Sequence, residues 1–596
     1  MSDNNKALFS EFPSVSTEQW MERVTADLKG ADFDKKLVWK NLTGINIKPC
    51  YSAVDKIEKL QNTGENSQAL VNYRNITVTS AKNGNKLAIK AVEEGMNGII
   101  FTLEENVAVS ELLTGIDLNK ISVSFEMTSN AVAFVTDLVA FAKDADLKGY
   151  INTGIISNYV TTGSFDESQI DVAAELVKLT ANYPNFKAIT VSGTEYLDSG
   201  ANQVQEIAYT LNSLVFLIEK LSVKGVEVQA IFNNLNFKLA VGLEYFIEIG
   251  KFRAFNSLLA EVAAKYGVAE VANTITAKTS IWSKSVTDAE TNLLRCTTEA
   301  MSAILGNVDA VLIDAYDKEF KNPSDFSSRI AGNITTILRE ESYFGKVSNP
   351  VDGSYYVEEV TSKIAEKALE LFQAIEADGG FFTAFENETI QAQIAEIRLK
   401  KLKLISQRRT PMVGINKYPN LMETVAADLL SEGATNNSKV LTPRRASLEI
   451  EAMRRKTEQL VAETNVRPIV QLASYGNLNM RKARAAFAYD FIGVSGFDVH
   501  QEESFESAAV AAKESANSDA HVVVICSSDQ DYDETAVDFI KAFRAINTNK
   551  VLLLAGAPKN MDELTEAGLD GVVNMRTDVL VTLASIQEKV QKTLKS

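Results

Sequence analysis

The chain of 596 residues holds only two histidines, His500 and His521. The first 499 residues therefore offer no imidazole to catalysis or to a metal. Cysteine is nearly as scarce: Cys50, Cys296 and Cys526 stand far apart, with no CxxC pair and no Cys/His cluster. That spacing excludes a disulfide framework and a zinc site. No apolar run approaches the ~18 residues of a spanning helix, and the opening MSDNNKALFSEF has no basic region followed by an apolar stretch. A cytoplasmic protein is the expectation. Positive charge is also in deficit, with 60 Lys+Arg against 78 Asp+Glu and a net charge of −18. Overall attraction to phosphate backbones or anionic lipid is missing, so neither nucleic acid nor membrane is expected as a partner.

What is present is ordinary globular composition, 45% hydrophobic and 23% charged, in a chain long enough for several domains. The end of the chain, residues 465–596, alternates short apolar strands with amphipathic helices. Strands are expected at RPIVQLAS (467–474), FDVHQ, HVVVICSS (521–528), KVLLLAG (550–556) and GVVNM (571–575). Helices are expected over Arg481–Phe491, Phe505–Ser515, Thr535–Ala545, near Asp562–Ala567 and at the end. Such a pattern predicts a parallel sheet covered on both faces, a flavodoxin-like doubly wound domain.

Residues 44–400 carry the same alternation in longer units: AIKAVEEG then NGIIFTL, AFVTDLVAFAKD then GYINTG, QIDVAAELVKLTANY then KAITVSG, and SLVFLIEKLSVKG then VEVQAIF. A run of that length predicts an eight-fold α/β barrel of the (β/α)8 TIM type. Residues 401–464 differ, with Pro411, Pro419 and Pro443 interrupting basic helical patches, as suits a connector. Its basic stretches Arg398–Arg409 and Arg444–Lys456 are expected as solvated faces or seams against an acidic domain. Ahead of the barrel, residues 1–43 place Trp20, Val24 and Leu28 at i, i+4 and i+8 before Val38 and Trp39. This segment is expected to be an intersubunit arm, or else to pack on its own barrel.

Six stretches, in order along the chain, resemble one family: LVWKNLTGINIKPCYS (37–52), ITVSGTEYLDSGANQVQEIAYTL (189–211), FIEIGKFRAFNSLLAEVAAKYG (246–267), LLRCTTEAMSAILG (293–306), NPVDGSYYVEEVT (349–361) and PMVGINKY (411–418). Together with a flavodoxin-like terminal domain they resemble the methylmalonyl-CoA mutase family of adenosylcobalamin-dependent isomerases. The resemblance implies an N-terminal arm, a barrel threaded by the thioester substrate, a connector and a cobalamin-binding-type domain. Taken without it, NPVDGSYYVE reads as a Pro-assisted turn ahead of a helix, and EIGKFRAFNSLLAEV as a packing helix.

Several positions depart from the family pattern. Catalytic chains hold cobalt by the histidine of a DxHxxG turn, oriented by its aspartate. Here that turn runs Tyr475, Gly476, Asn477, Leu478, Asn479, Met480, Arg481, Lys482, with no histidine and no aspartate. By the strand reading, His500 and His521 lie outside it. A Gly-Gly step after the fourth strand is replaced by Ala555, Gly556, Ala557 and Pro558, although Ser527 and Ser528 stay family-like. In the barrel, the Tyr-His pair of catalytic chains is replaced by Thr194 and Glu195, and an ionised carboxylate repels negative charge on a thioester oxygen. The aromatic, arginine-rich segment that follows the first barrel strand of catalytic chains has no counterpart.

The family includes heterodimers of a catalytic chain and a smaller chain that has lost its sites, and this sequence resembles the smaller chain. No catalytic, cofactor-binding or metal residue is then expected in it. The resemblance implies a homologous large subunit as partner, with adenosylcobalamin carried by that chain. Besides a subunit of a related acyl-CoA mutase, two other readings stay open: an autonomous barrel enzyme using Glu195 or Asp198 as acid/base, and a regulatory module for cobalamin loading. The second lacks the GxxxxGK[ST] phosphate loop it would need.

Overall fold

The structure, a computed structural model, describes residues 15–64, 70–426, 428–430 and 438–595. Residues 1–14 of the expected arm, residues 65–69 and residues 431–437 of the connector lie outside the described residues.

Eight parallel strands make the first sheet: β1 (Val71–Val78), β2 (Gly98–Leu103), β3 (Ser122–Glu126), β4 (Gly149–Asn152), β5, β6 (Leu235–Val241), β7 (Thr274–Thr279) and β8 (Ala310–Leu312). β5 comes in two pieces, Phe186–Lys187 and Ile189–Ser192, interrupted at Ala188. The first piece pairs with β4 and the second with β6, while β8 returns to β1, so the ring closes into a barrel. Gly149 opens β4 at φ +126°, where a Cβ would run into the Val123 carbonyl of β3.

Period-two alternation sorts the side chains. On β6, Leu235, Phe237 and Leu239 belong to the core beneath the helices, while Asn236 and Lys238 lie between them on the bore side. Three long helices, Gln203–Val223, Tyr245–Lys265 and Tyr355–Ala377, pack together outside. The first is capped by Asn202, whose side chain accepts from the Gln205 N–H at 2.8 Å.

One expected strand is corrected. VEVQAIF folds mainly as the helix Val228–Asn233, and the strand of that unit is the next segment, LNFKLAV. Ile231 and Phe232 are adjacent, fully buried and both in the helix-side core, which a strand could not achieve because it points neighbours to opposite faces.

The terminal domain holds β9 (Ile469–Ser474), β10 in two pieces (Asp498–Val499 and Glu503–Ser504), β11 (Val522–Cys526), β12 (Val551–Ala555) and β13 (Gly571–Val573). Their spatial order is β10-β9-β11-β12-β13, all parallel, the flavodoxin-like arrangement with its reversal between β9 and β11. Each central strand is apolar on both sides, Val522 and Val524 facing one layer of helices and Val523 and Ile525 the other. The expected helix over Arg481–Phe491 starts earlier, at Leu478, because Asn477 caps it by accepting from the Met480 N–H at 3.1 Å. Leu478 and Asn479, read as turn residues, belong to that helix's first turn.

The connector's basic residues form seams. Arg408 pairs with Asp490 and lies 5.1 Å over the Phe487 ring, and Arg445 contacts Glu451 at 2.7 Å and Glu319 at 3.2 Å. At the other end, the helix Thr17–Asp27 buries none of its residues, and Trp20 packs edge-on to Phe33. Among the described residues no helix is long and apolar enough to cross a membrane.

Candidate functional site

Function in such a barrel sits at the C-terminal ends of the strands, above an interior filled by side chains. Here the bore is bridged at two levels. Tyr73 of β1 and Tyr150 of β4 meet edge to face with centroids 5.8 Å apart, and the Tyr73 hydroxyl bonds Ser122 at 2.8 Å and Ser124 at 3.0 Å. Above them Lys238 of β6 pairs with Glu126 of β3. β1 and β4, like β3 and β6, stand three strands apart in a ring of eight, so both contacts cross the axis. Burial opposes ionisation of Glu126, but the Lys238 ammonium outweighs it and holds the carboxyl below its ordinary value. Beside this pair, Asp314 contacts Lys318 at 2.6 Å and Lys278 at 3.6 Å. Its burial is likewise outweighed by those two cations, and the carboxyl sits at about 2.

Thr194 and Glu195 open the short helix that follows β5. They are tied locally: the Ser192 hydroxyl donates to Glu195 Oε2 at 2.6 Å and lies 2.9 Å from Thr194 Oγ1. Asp198 is buried at 2% exposure and accepts from the Ser280 hydroxyl at 2.5 Å and the Ile281 N–H at 3.0 Å. Such a carboxylate pins two loops together. Sequence reading passed over Glu126, Lys238, Lys278 and Asp314, although a lysine inside a fully buried strand such as LNFKLAV is itself a signal.

The second candidate is the crevice of the terminal sheet between β9 and β11. Gly476 and Asn477 form its first turn, and Asp531 locks that turn to the neighbouring loop. It accepts from the Asn477 N–H at 3.1 Å, the Ser527 hydroxyl at 2.7 Å and the Ser528 hydroxyl at 2.6 Å. Burial is again outweighed, here by these donors, and the Asp531 carboxyl lies at about 2. Gly476, at φ +74°, has no room for a Cβ because Asp531 fills the space. Across the crevice Arg484 donates to the Ala555 carbonyl at 3.1 Å, pairs with Asp529 at 2.6 Å and lies 5.0 Å over the Tyr532 ring. His521 lies just before β11, at the end of the strands opposite the crevice, its Nδ1 accepting from the Ile469 N–H at 3.1 Å, and His500 stands beside Asp498 at 3.5 Å next to the edge strand. No group of three or more His, Cys, Asp or Glu suited to a metal occurs among the described residues.

A closed parallel barrel followed by a doubly wound domain defines a two-part α/β protein. Comparison with known proteins makes this specific. The methylmalonyl-CoA mutase family pattern matches residues 85–490. The methylmalonyl-CoA mutase small subunit of Porphyromonas gingivalis is 31% identical over 622 aligned residues, covering 99% of both chains. The small subunit of Streptomyces virginiae is 29% identical, covering 96% of this chain and 97% of that one. The methylmalonyl-CoA mutase of Escherichia coli is 24% identical, covering 83% and 82%. The chain belongs to the methylmalonyl-CoA mutase family.

The crevice residues do not fit the corrinoid that catalytic members carry. Its turn presents no imidazole, and the turn is fastened down by Asp531. The backbone approach at Gly556 is taken by the Arg484 guanidinium.

Proposed function

We propose that this chain is the small, non-catalytic subunit of an adenosylcobalamin-dependent methylmalonyl-CoA mutase. It supports a homologous large subunit that binds the cofactor and interconverts (R)-methylmalonyl-CoA and succinyl-CoA in the cytoplasm. The observation that carries this reading is the bridged bore. A thioester threaded along the axis would have to displace the Tyr73–Tyr150 contact and break the Lys238–Glu126 pair. Separating two such partly buried charges leaves each without its partner, at a cost on the order of several kcal/mol. The same residues tie opposite strands together across the axis, which suits a supporting subunit. Glu195 and Asp198, the carboxylates an autonomous enzyme would use, are each tied to the fold through one oxygen, Glu195 Oε2 by the Ser192 hydroxyl and Asp198 Oδ1 by the Ser280 hydroxyl and the Ile281 N–H.

The test is purification of the tagged chain from its native source. A homologous, larger chain in stoichiometric amount, with mutase turnover in the complex and none in the separated small chain, is the expected result. Turnover by the solitary chain would overturn the proposal.

A further inference from the structure

The segment 439–447 runs along the C-terminal face of the barrel and leads through the helix Leu448–Thr464 into the terminal domain. Between Leu441 and Ala446 the chain passes from one core to the other. Leu441 is buried in the barrel core, and Ala446 in the core shared with the terminal sheet. Three backbone N–H groups of the segment are spent on the barrel. Leu441 donates to the Val160 carbonyl in the helix after β4 at 2.7 Å, Arg444 to the Asp198 carbonyl after β5 at 2.8 Å, and Ala446 to the Trp282 carbonyl after β7 at 2.9 Å. Pro443 stands between the first two, with no N–H to leave unpaired and a fixed φ that stiffens the crossing.

Side chains pin the far end. Glu451, at 0% exposure, takes Arg445 on both oxygens, Nη2 at 2.7 Å and Nε at 3.1 Å, and accepts from the Ser447 hydroxyl at 2.5 Å. Its Oε1 also faces the Val286 N–H of the loop after β7 at 3.4 Å, and Arg445 Nη1 reaches Glu319, after β8, at 3.2 Å. Arg445 and Glu451 thus join the helix that leads into the terminal domain to two barrel loops at once. Parting the domains would strip a fully buried carboxylate of its cation and leave three buried N–H groups without acceptors, and both losses oppose it.

Two domains of one chain move against each other by default. We propose that segment 439–447 is a strap that locks the terminal domain to the barrel mouth, with Glu451 as its pin, so that the two domains behave as one body. A partner that docks on this chain then meets both domains in one fixed arrangement. The inference is independent of the subunit reading, because it concerns the seam within this chain and is measured without catalysis.

Native-state hydrogen exchange of the full chain, read by mass spectrometry, is the test. In the wild type the Leu441, Arg444 and Ala446 amides should exchange within tenfold of those in the central strands β6 and β11. Glu451→Gln removes the charge that holds Arg445. Exchange over 441–447 and at Val286 should then rise at least tenfold, while β6 and β11 keep their protection. Should Glu451→Gln fail to fold, Arg445→Met is the substitute, with the same result expected. Fast exchange of the three amides in the wild type, unchanged exchange in the folded variant, or acceleration spread equally over β6 and β11 would overturn the proposal.

Discussion

Arg484 lies across the end of β12 at Gly556, its Nη1 filling the place a Cβ there would take. An arginine side chain thus stands where a ligand's tail would need close backbone approach. Arg484→Ala should cost about 1–2 kcal/mol in chemical denaturation, through the lost carbonyl bond and the exposed Asp529 pair. It should not create corrinoid binding, because the first turn still lacks an imidazole. Both proteins, incubated with cobalamin and desalted, should show no visible absorbance. Stoichiometric colour in the wild type would sink this account of the crevice.

Lys251 holds two carboxylates inside the barrel wall. It contacts Glu206 at 2.8 Å and Glu248 at 2.6 Å, all three at 0% exposure. Lys251→Met leaves both carboxylates buried without a cation, and a loss of about 3–5 kcal/mol is expected in urea unfolding. A loss below 1 kcal/mol would mean that water reaches the triad.

The same triad predicts a pH dependence. Burial, opposed by Lys251, pushes the Glu206 carboxyl up to about 7 from an ordinary 4.5. The folded state then holds a proton that the unfolded state releases near its ordinary value. This contribution to stability is full below 4.5 and is lost as pH rises through 7. Glu206→Gln removes the titration, so the stability of the wild type relative to the variant should fall between pH 5 and pH 8. A constant difference across that window would exclude the assignment.

Much of the architecture is written in local patterns. HVVVICSS and KVLLLAG are unbroken apolar runs, and both become central strands with two covered faces. VEVQAIF misled because two alternating valines outweighed the adjacent pair Ile231 and Phe232. The bridged bore was not legible, since Tyr73 with Tyr150 and Glu126 with Lys238 meet only once the ring has closed. The turn was read two residues too long, since Asn477 already caps the helix that begins at Leu478, and Arg484 and Asp531, which fill the crevice, come from helices whose reach a linear pattern does not give.

The N-terminal helix bears on assembly. Thr17–Asp27 contributes nothing to the barrel core, and Trp20 is 39% exposed. Deleting residues 1–30 should leave the unfolding transition in place while abolishing co-purification with the large chain. Unchanged association would assign the contact elsewhere.

The last prediction tests whether the barrel's losses act singly or together. Thr194→Tyr with Glu195→His restores two family side chains at the end of β5, and a chain with a single defect would recover some mutase activity. None is expected. Thr194 is 6% exposed and lies within hydrogen-bond reach of Ser192, so a tyrosine there must displace the loop or leave the site. Even when placed, the pair faces a bore that Tyr73 with Tyr150 and Glu126 with Lys238 close to a thioester. Groups that act as a unit are non-additive, so two repairs among several losses give no proportional share of the rate. The assay is conversion of methylmalonyl-CoA by the double variant alone with added adenosylcobalamin, beside the same variant paired with the large chain. Turnover by the solitary variant above a protein-free control would mean that the bore opens far more readily than its cross-axis contacts allow.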